Sequence, residues 1–220
     1  MTGRVVRVFA AAVLTTCLGW SSIACGGPET PDYQSLWTTN TTTGGTPVPT
    51  QSGVPLSEYL EGEGVIGDVV RPDTLTDLTV SIPTPAGWES RVDPQDTPNA
   101  VMISKGDNYP AAMLVVFKLH GDFDLAEAVK HANFDLPPDF RQLDASTEDY
   151  QGFPSAMTQG TYELKGARMH SWRRVVLPAT APPANQRYLV ELMITSLADQ
   201  AVAESNDVEA IISGFTVARK

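Results

Sequence analysis

Cys25 is the residue whose neighbours point most clearly to a chemical reaction. It directly follows Ser22-Ile23-Ala24, and a small residue before a cysteine suits cleavage by a lipoprotein signal peptidase. The Cys25 thiol is then the predicted attachment point of a diacylglyceryl group. Ser22 departs from the usual pattern, which has leucine at that place, and an ordinary secretory signal with an incidental cysteine is the alternative.

The segment before Cys25 has the three parts of a secretory signal. Arg4 and Arg7 precede an apolar run over 8–20, and small residues follow it. The run is shorter than the roughly 20 residues that a membrane-spanning helix needs. Cys17 lies inside this run after a threonine and does not suit the cleavage site. We therefore expect 1–24 to be removed as a lipoprotein signal peptide.

The charge of the chain restricts its partners. The formal net charge is −11, and removal of the signal leaves 13 basic and 26 acidic residues. Such an acidic chain is repelled by nucleic acid and by anionic lipid headgroups. We expect no nucleic-acid partner, and we expect the plasma membrane to hold the protein on its extracytoplasmic face through the diacylglyceryl anchor, since two acyl chains bind stably without electrostatic help.

The residues after Cys25 divide into a tether and one folded domain. Segment 26–54 is dense in Thr, Gly and Pro and has no apolar periodicity, which predicts disorder. About 29 flexible residues span roughly 30 Å. Together with the lipidated cysteine, 25–54 is the predicted tether, and 55–220 is the predicted single globular domain.

No residue set predicts catalysis, a cofactor or a metal. His120, His131 and His170 lack metal-ligand spacing, and no G-x-S-x-G elbow is present. Lipidation of Cys25 would also remove the last free thiol. Segment 62–67 matches G-x-G-x-x-G, but prolines and aspartates follow it instead of a helix, so we interpret these glycines as a loop.

Trp88, Trp172 and Arg174 form the candidate ligand or partner surface. Strand alternation places Trp172 and Arg174 on one face and Arg173 on the other. Five methionines lie in or beside predicted strands, where they either fill the core or line an apolar groove for an acyl chain. They are Met102, Met113, Met157, Met169 and Met193.

The elements that position these residues predict an α+β fold with a mainly antiparallel sheet. Segment 111–120 is apolar on both alternating faces, so the sheet needs cover on both sides. Asp124 and Glu127 form a capping box that opens a helix to about Ala132. The other expected strands are 78–82, 88–92, 100–104, 141–150, 154–164, 168–177 and 187–196, and the other helices are 56–61 and one ending at Gly214.

Four segments of the domain match a known family. They are 75–88 (LTDLTVSIPTPAGW), 109–119 (YPAAMLVVFKL), 187–190 (RYLV) and 211–215 (IISGF). With these segments the chain resembles the LpqN-type lipoproteins of mycobacteria, and the likeness covers 55–220. The resemblance implies a PsbP-like α/β/α sandwich with a mainly antiparallel central sheet, anchored outside the plasma membrane. It also implies no defined catalytic motif, so no active-site residue is carried over.

Two functional hypotheses follow. The first is a non-enzymatic lipoprotein that binds or chaperones acyl-glycolipids of the cell envelope. The alternative is a protein-docking adaptor that scaffolds envelope machinery. An apolar cleft left open beside the Trp172 strand would favour the ligand, and a fully covered core would favour the protein partner.

Overall fold

The structure is a computed structural model that describes residues 53–91, 97, 99–137 and 139–220. The predicted signal peptide, Cys25 and nearly all of the predicted tether lie outside these residues. The helices are α1 (Leu56–Gly62), α2 (Leu125–His131) and α3 (Ser205–Gly214). The strands are β1 (Ile66–Val69), β2 (Leu78–Ser81), β3 (Glu89–Arg91), β4 (Val101–Ser104), β5 (Ala111–His120), β6 (Arg141–Ser146), β7 (Ser155–Leu164), β8 (Ala167–Val176), β9 (Arg187–Leu197) and β10 (Thr216–Arg219).

One large antiparallel sheet forms the centre of the domain. Its strand order is β3-β4-β5-β9-β8-β7-β6, and β1 pairs with the remaining part of β5. Strands β6 to β9 are consecutive antiparallel neighbours, as their hairpin spacing predicts. The α+β fold with a mainly antiparallel sheet is therefore confirmed.

The sheet is covered on both faces because its central strand is apolar on both. Residues 111–117 of β5 are all buried. On one face, α1 and α2 pack over a core that includes Leu60 and Phe117. On the other face, α3 and the small sheet of β2 and β10 cover a core that includes Phe215. No helix among the described residues is long and apolar enough to cross a membrane.

Two predictions about short strands need correction. The predicted strand 78–82 exists as β2, but it pairs with β10 rather than joining the large sheet. The loop prediction for 62–67 is wrong at its end, because Ile66 and Gly67 begin β1. Edge pairing uses backbone groups and does not require an alternating apolar pattern, so β1 leaves little trace in the sequence.

Aspartates begin the two helices that share one face of the sheet. Asp124 accepts hydrogen bonds from the backbone N–H groups of Ala126 and Glu127, which confirms it as the N-cap. The Glu127 carboxylate binds Lys130 instead of the Asp124 N–H, so only the Asp124 half of the predicted capping box forms. Helix α1 begins after Pro55, which has no side-chain oxygen to offer. Asp135, from the loop after α2, accepts from the Leu56 N–H and the Ser57 hydroxyl instead. This cap ties α1 to the α2 layer.

Candidate ligand-binding site

Arg174 on β8 is the centre of the candidate site. Its guanidinium carbon lies 4.6 Å from the ring centre of Tyr150 and 5.6 Å from that of Trp172, so it makes cation–π contacts with both rings. Its Nη1 donates to the Ser155 hydroxyl at 3.0 Å. Its Nε is buried and finds no acceptor among the described residues. A ligand oxygen would reach this donor only if the side chains that cover it moved.

Burial sets the electrostatics of this guanidinium. Removal from water lowers the pKa of Arg174 from its ordinary value, and the charges of Tyr150 and Glu148 oppose that shift. An arginine stays protonated in any case. A charged group that lacks part of its hydration binds an oxygen acceptor more strongly than a fully solvated one.

The loop between β6 and β7 fixes Tyr150 beside Arg174. The Tyr150 hydroxyl donates to the Phe215 carbonyl at 2.7 Å, and the two rings stack with centres 5.3 Å apart. The Ser155 hydroxyl, which accepts from Arg174, itself donates to the Glu148 carbonyl. The cation–π partners are therefore held by contacts to the end of α3 and to the neighbouring loop.

Arg174 stands at one end of a row of side chains, which we call the β7–β8 strip. Thr161 and Trp172 in this row are buried, and the other members are partly or fully exposed. The strip follows one face of two paired strands for about 20 Å, at about 3.3 Å per residue. Trp172 is its most buried ring, at 7 % exposure. Its members are Met157, Gln159, Thr161 and Glu163 on β7 and Arg168, His170, Trp172 and Arg174 on β8.

The comparisons with known proteins decide the family. The profile described as "Probable lipoprotein LpqN" matches residues 52–218. The chain belongs to the LpqN family of lipoproteins. It is 55% identical to lipoprotein LpqT of Mycobacterium tuberculosis, over 98% of this chain and 96% of the relative, and 53% identical to that of Mycobacterium leprae, over 96% and 95%.

A solved member of the LpqN family supports the fold. The crystal structure of LpqN from Mycobacterium tuberculosis matches with a TM-score of 0.63 over 76% of this chain and 98% of that one. The sequence identity is 18%, so this likeness concerns the fold. The resemblance seen in the sequence is confirmed, and the names of the family and its relatives indicate lipoproteins rather than an enzyme class.

The structure joins two of the three predicted site residues of this LpqN-family chain. Trp172 and Arg174 share a face and are in contact, as alternation predicts. Trp88 does not reach the strip. It is 5 % exposed, and its indole nitrogen donates to Asp207 on α3 at 3.2 Å, so it holds that helix on the core.

The five methionines divide between core and surface. Met102, Met113 and Met169 are buried, which supports the core-filling interpretation for them. Met193 is partly buried and packs against the core beneath α1 and α2. Met157 is half-buried and lies directly opposite Arg174 across the β7–β8 pair. Met157 is the methionine placed to contact a ligand held by Arg174.

Arg173 points to the opposite face and has a separate role. It is bonded to the buried carboxylate of Glu191 and donates to the Ala132 carbonyl at 2.6 Å. The pair lies between the sheet and the end of α2. It therefore belongs to the packing of that face.

The histidines carry no catalytic arrangement in the described part of the chain. His120 lies 3.0 Å from Asp68, but both side chains are about half exposed or more at the sheet edge. His131 stacks on Tyr59 in the α1–α2 layer. His170 lies in the strip, where burial lowers its pKa and the Gln159 amide donates to its Nε2. Within the described residues, no three His, Cys, Asp or Glu side chains form a metal-binding group.

Proposed function

We propose that this chain is a cell-envelope lipoprotein whose domain binds or chaperones envelope acyl-glycolipids without catalysing a reaction. Cys25, after removal of 1–24, would carry the diacylglyceryl anchor on the extracytoplasmic face of the plasma membrane. Segment 25–54 would be the tether, and 55–220 the binding domain. The solved LpqN is described as involved in cell envelope biogenesis of Mycobacterium tuberculosis, and we extend that setting to this chain.

The observation that carries the proposal is the surroundings of Arg174. Its Nε is buried without an acceptor among the described residues, and its Nη1 donates to the Ser155 hydroxyl. The neighbours of the guanidinium are the apolar side chain of Met157 and the rings of Trp172 and Tyr150. A lipid with a sugar head has both parts that this site accepts. Its ester and hydroxyl oxygens would accept from Arg174, while the first methylenes of its acyl chain would lie on the apolar side chains.

Native mass spectrometry of the mature chain tests the proposal. A Cys25→Ser variant, which cannot be lipidated, is incubated with envelope lipid extract of a mycobacterium. We expect bound acyl-glycolipid, and we expect Arg174→Gln to reduce the bound fraction by about tenfold. Arg71→Gln is the matched control, because Arg71 is exposed and pairs only with its neighbour Asp73 in the described structure. Absence of any lipid adduct on the starting protein would overturn the proposal.

One observation favours the adaptor as a second candidate. Strand β6 is the edge of the large sheet, and five of its six residues are exposed. Leu143 is 65 % exposed at an irregular point of the β6–β7 pairing. An exposed edge strand offers backbone groups to an extended segment of a partner. Crosslinking in cells from a reactive residue placed at position 143 should then recover a protein partner.

A further inference from the structure

A polar cavity lies at the far end of the β7–β8 strip from Arg174. It measures about 210 Å³ and adjoins the β7–β8 hairpin. At about 30 Å³ per water molecule it corresponds to roughly seven waters, which is on the order of one sugar ring. Its lining residues are Asp139, Arg141, Thr161, Tyr162, Glu163 and Arg168.

The charged side chains of this cavity differ in how far the fold uses them. The Asp139 carboxylate accepts a hydrogen bond from the Glu163 backbone N–H at 2.7 Å. Glu163 and Arg168 are directly opposite each other across the hairpin, yet these two described side chains form no ion pair with each other. Within the described residues, the side chains of Arg141 and Glu163 have no hydrogen-bond or ion-pair partner. Arg168 has only a long hydrogen bond of 3.4 Å to the Thr161 hydroxyl. The cavity is therefore lined by hydrogen-bond donors and acceptors that can still bind a ligand.

The mixture of charges selects the class of ligand. The two guanidinium groups of Arg141 and Arg168 alone would suit a phosphate or a carboxylate. The carboxylates of Glu163 and Asp139 line the same cavity and would repel an anion. A neutral polyol satisfies both sets, because each hydroxyl can donate to a carboxylate and accept from a guanidinium.

The opening of the cavity allows for a larger ligand. A second, shallower depression of about 470 Å³ shares Arg168 with it and runs past Leu197 and Asp199. A sugar ring in the polar cavity could therefore carry a substituent that leaves along the end of β9.

We propose that the cavity at the β7–β8 hairpin binds a neutral sugar ring. Arg141 and Arg168 donate to its hydroxyl oxygens, and Glu163 accepts from its hydroxyl groups. This site lies about 20 Å from Arg174 along the strip. The proposal is based on the lining residues of this cavity, and it would hold even if Arg174 bound no lipid.

The test is an NMR titration of isotope-labelled mature chain carrying Cys25→Ser. The probes are D-glucose, D-mannose, myo-inositol and inorganic phosphate. We expect at least one of the three polyols to bind with a Kd on the order of 1–10 mM. The shifted amide signals should be those of residues 161–168, and phosphate should not shift them.

Variants separate this site from the lipid site. Glu163→Gln and Arg168→Gln should each weaken polyol binding by about tenfold, and both positions are exposed, so the fold should persist. Glu61→Gln, on the exposed face of α1, is the matched control and should bind the polyol as the starting protein does. The position of the shifted signals, at 161–168, separates this site from Arg174. The proposal is overturned if no polyol shifts these signals, if phosphate alone shifts them, or if the two site variants bind as the starting protein does.

Discussion

Arg174 contributes to the packing of the strip and is also the residue that we propose for ligand binding. Its cation–π contacts with Tyr150 and Trp172 anchor the guanidinium, while its Nε has no acceptor among the described residues. A buried donor without an acceptor costs about 1–3 kcal/mol. A ligand that supplies the missing oxygen recovers part of that cost. The same residue thus links the packing of the strip to its proposed use.

Tyr188 makes the stability depend on alkaline pH. Its hydroxyl donates to both carboxylate oxygens of Asp77 at 3.0 Å, and burial, followed by Asp77, raises its pKa to about 12. The ordinary pKa is 10.0, so the folded state holds this proton more tightly than the unfolded state. The resulting stabilisation is complete below about pH 10 and is lost as the pH rises through about 12.

Tyr188→Phe should therefore cost about 1–2 kcal/mol near neutral pH, because the hydrogen bonds to Asp77 are lost. The difference between the two proteins should shrink between about pH 10 and pH 12. Urea unfolding of both proteins across that range measures it. A difference that stays constant over this interval would show that Tyr188 does not titrate as described.

The buried pair of Arg173 and Glu191 predicts a second residue-scale effect. Glu191 is 2 % exposed, so Glu191→Ala would leave a buried guanidinium without its carboxylate. We expect a loss of about 3–5 kcal/mol in the free energy of unfolding. The double variant Arg173→Met with Glu191→Leu should be much closer to the starting protein. Equal losses in the single and double variants would contradict this account.

At the scale of elements, the remote cap of α1 gives a local prediction. Asp135→Ala removes the acceptor of the Leu56 N–H and should cost about 0.5–2 kcal/mol. Hydrogen exchange should rise chiefly in α1. Asp124→Ala is the matched comparison, since it removes the cap of α2 and should raise exchange chiefly there. The same exchange pattern in both variants would mean that the two helices open together. Each cap would then change only the stability of the whole domain, which would contradict this prediction.

The sequence predicted the elements whose own residues determine them. Strand β5 has the predicted bounds, because an unbroken apolar run is typical of a central strand that is buried on both faces. The Asp124 N-cap was likewise predictable from local spacing, although Glu127 binds Lys130 and does not complete the capping box. The Asp135 cap was not, because it joins residues that are close only in the folded chain. For the same reason, the pairing of β2 with β10 left no local signal.

The candidate site was predictable only in part. Alternation placed Trp172 and Arg174 together, since both lie on one strand. Tyr150 was missed because it comes from the loop before β7 and reaches Arg174 through tertiary contacts. The hairpin cavity was also missed, because cross-strand register brings Arg141 to Thr161 and Arg168 to Glu163. A glutamate opposite an arginine across a short hairpin was the signal that could have been noticed.

At the scale of the whole molecule, the acidic charge means that membrane attachment would require the proposed lipid anchor. A chain with 26 acidic and 15 basic residues does not adhere to an anionic membrane. We therefore expect Cys25→Ser to move the protein from the membrane fraction to the soluble fraction of cells. Replacing Cys17 by serine should leave it in the membrane fraction. A membrane-bound Cys25→Ser protein, washed in high salt, would contradict anchoring through this residue.

The central claim, that the Arg174 end of the strip binds acyl-glycolipid, is tested most directly by paramagnetic NMR. An alkyl glucoside with a nitroxide on its chain is added to the labelled mature chain carrying Cys25→Ser. We expect selective broadening of the Met157, Trp172 and Arg174 signals. Binding should be about tenfold weaker in Arg174→Gln and unchanged in Arg71→Gln. Broadening centred on the α1–α2 face, or equal binding by Arg174→Gln, would contradict it.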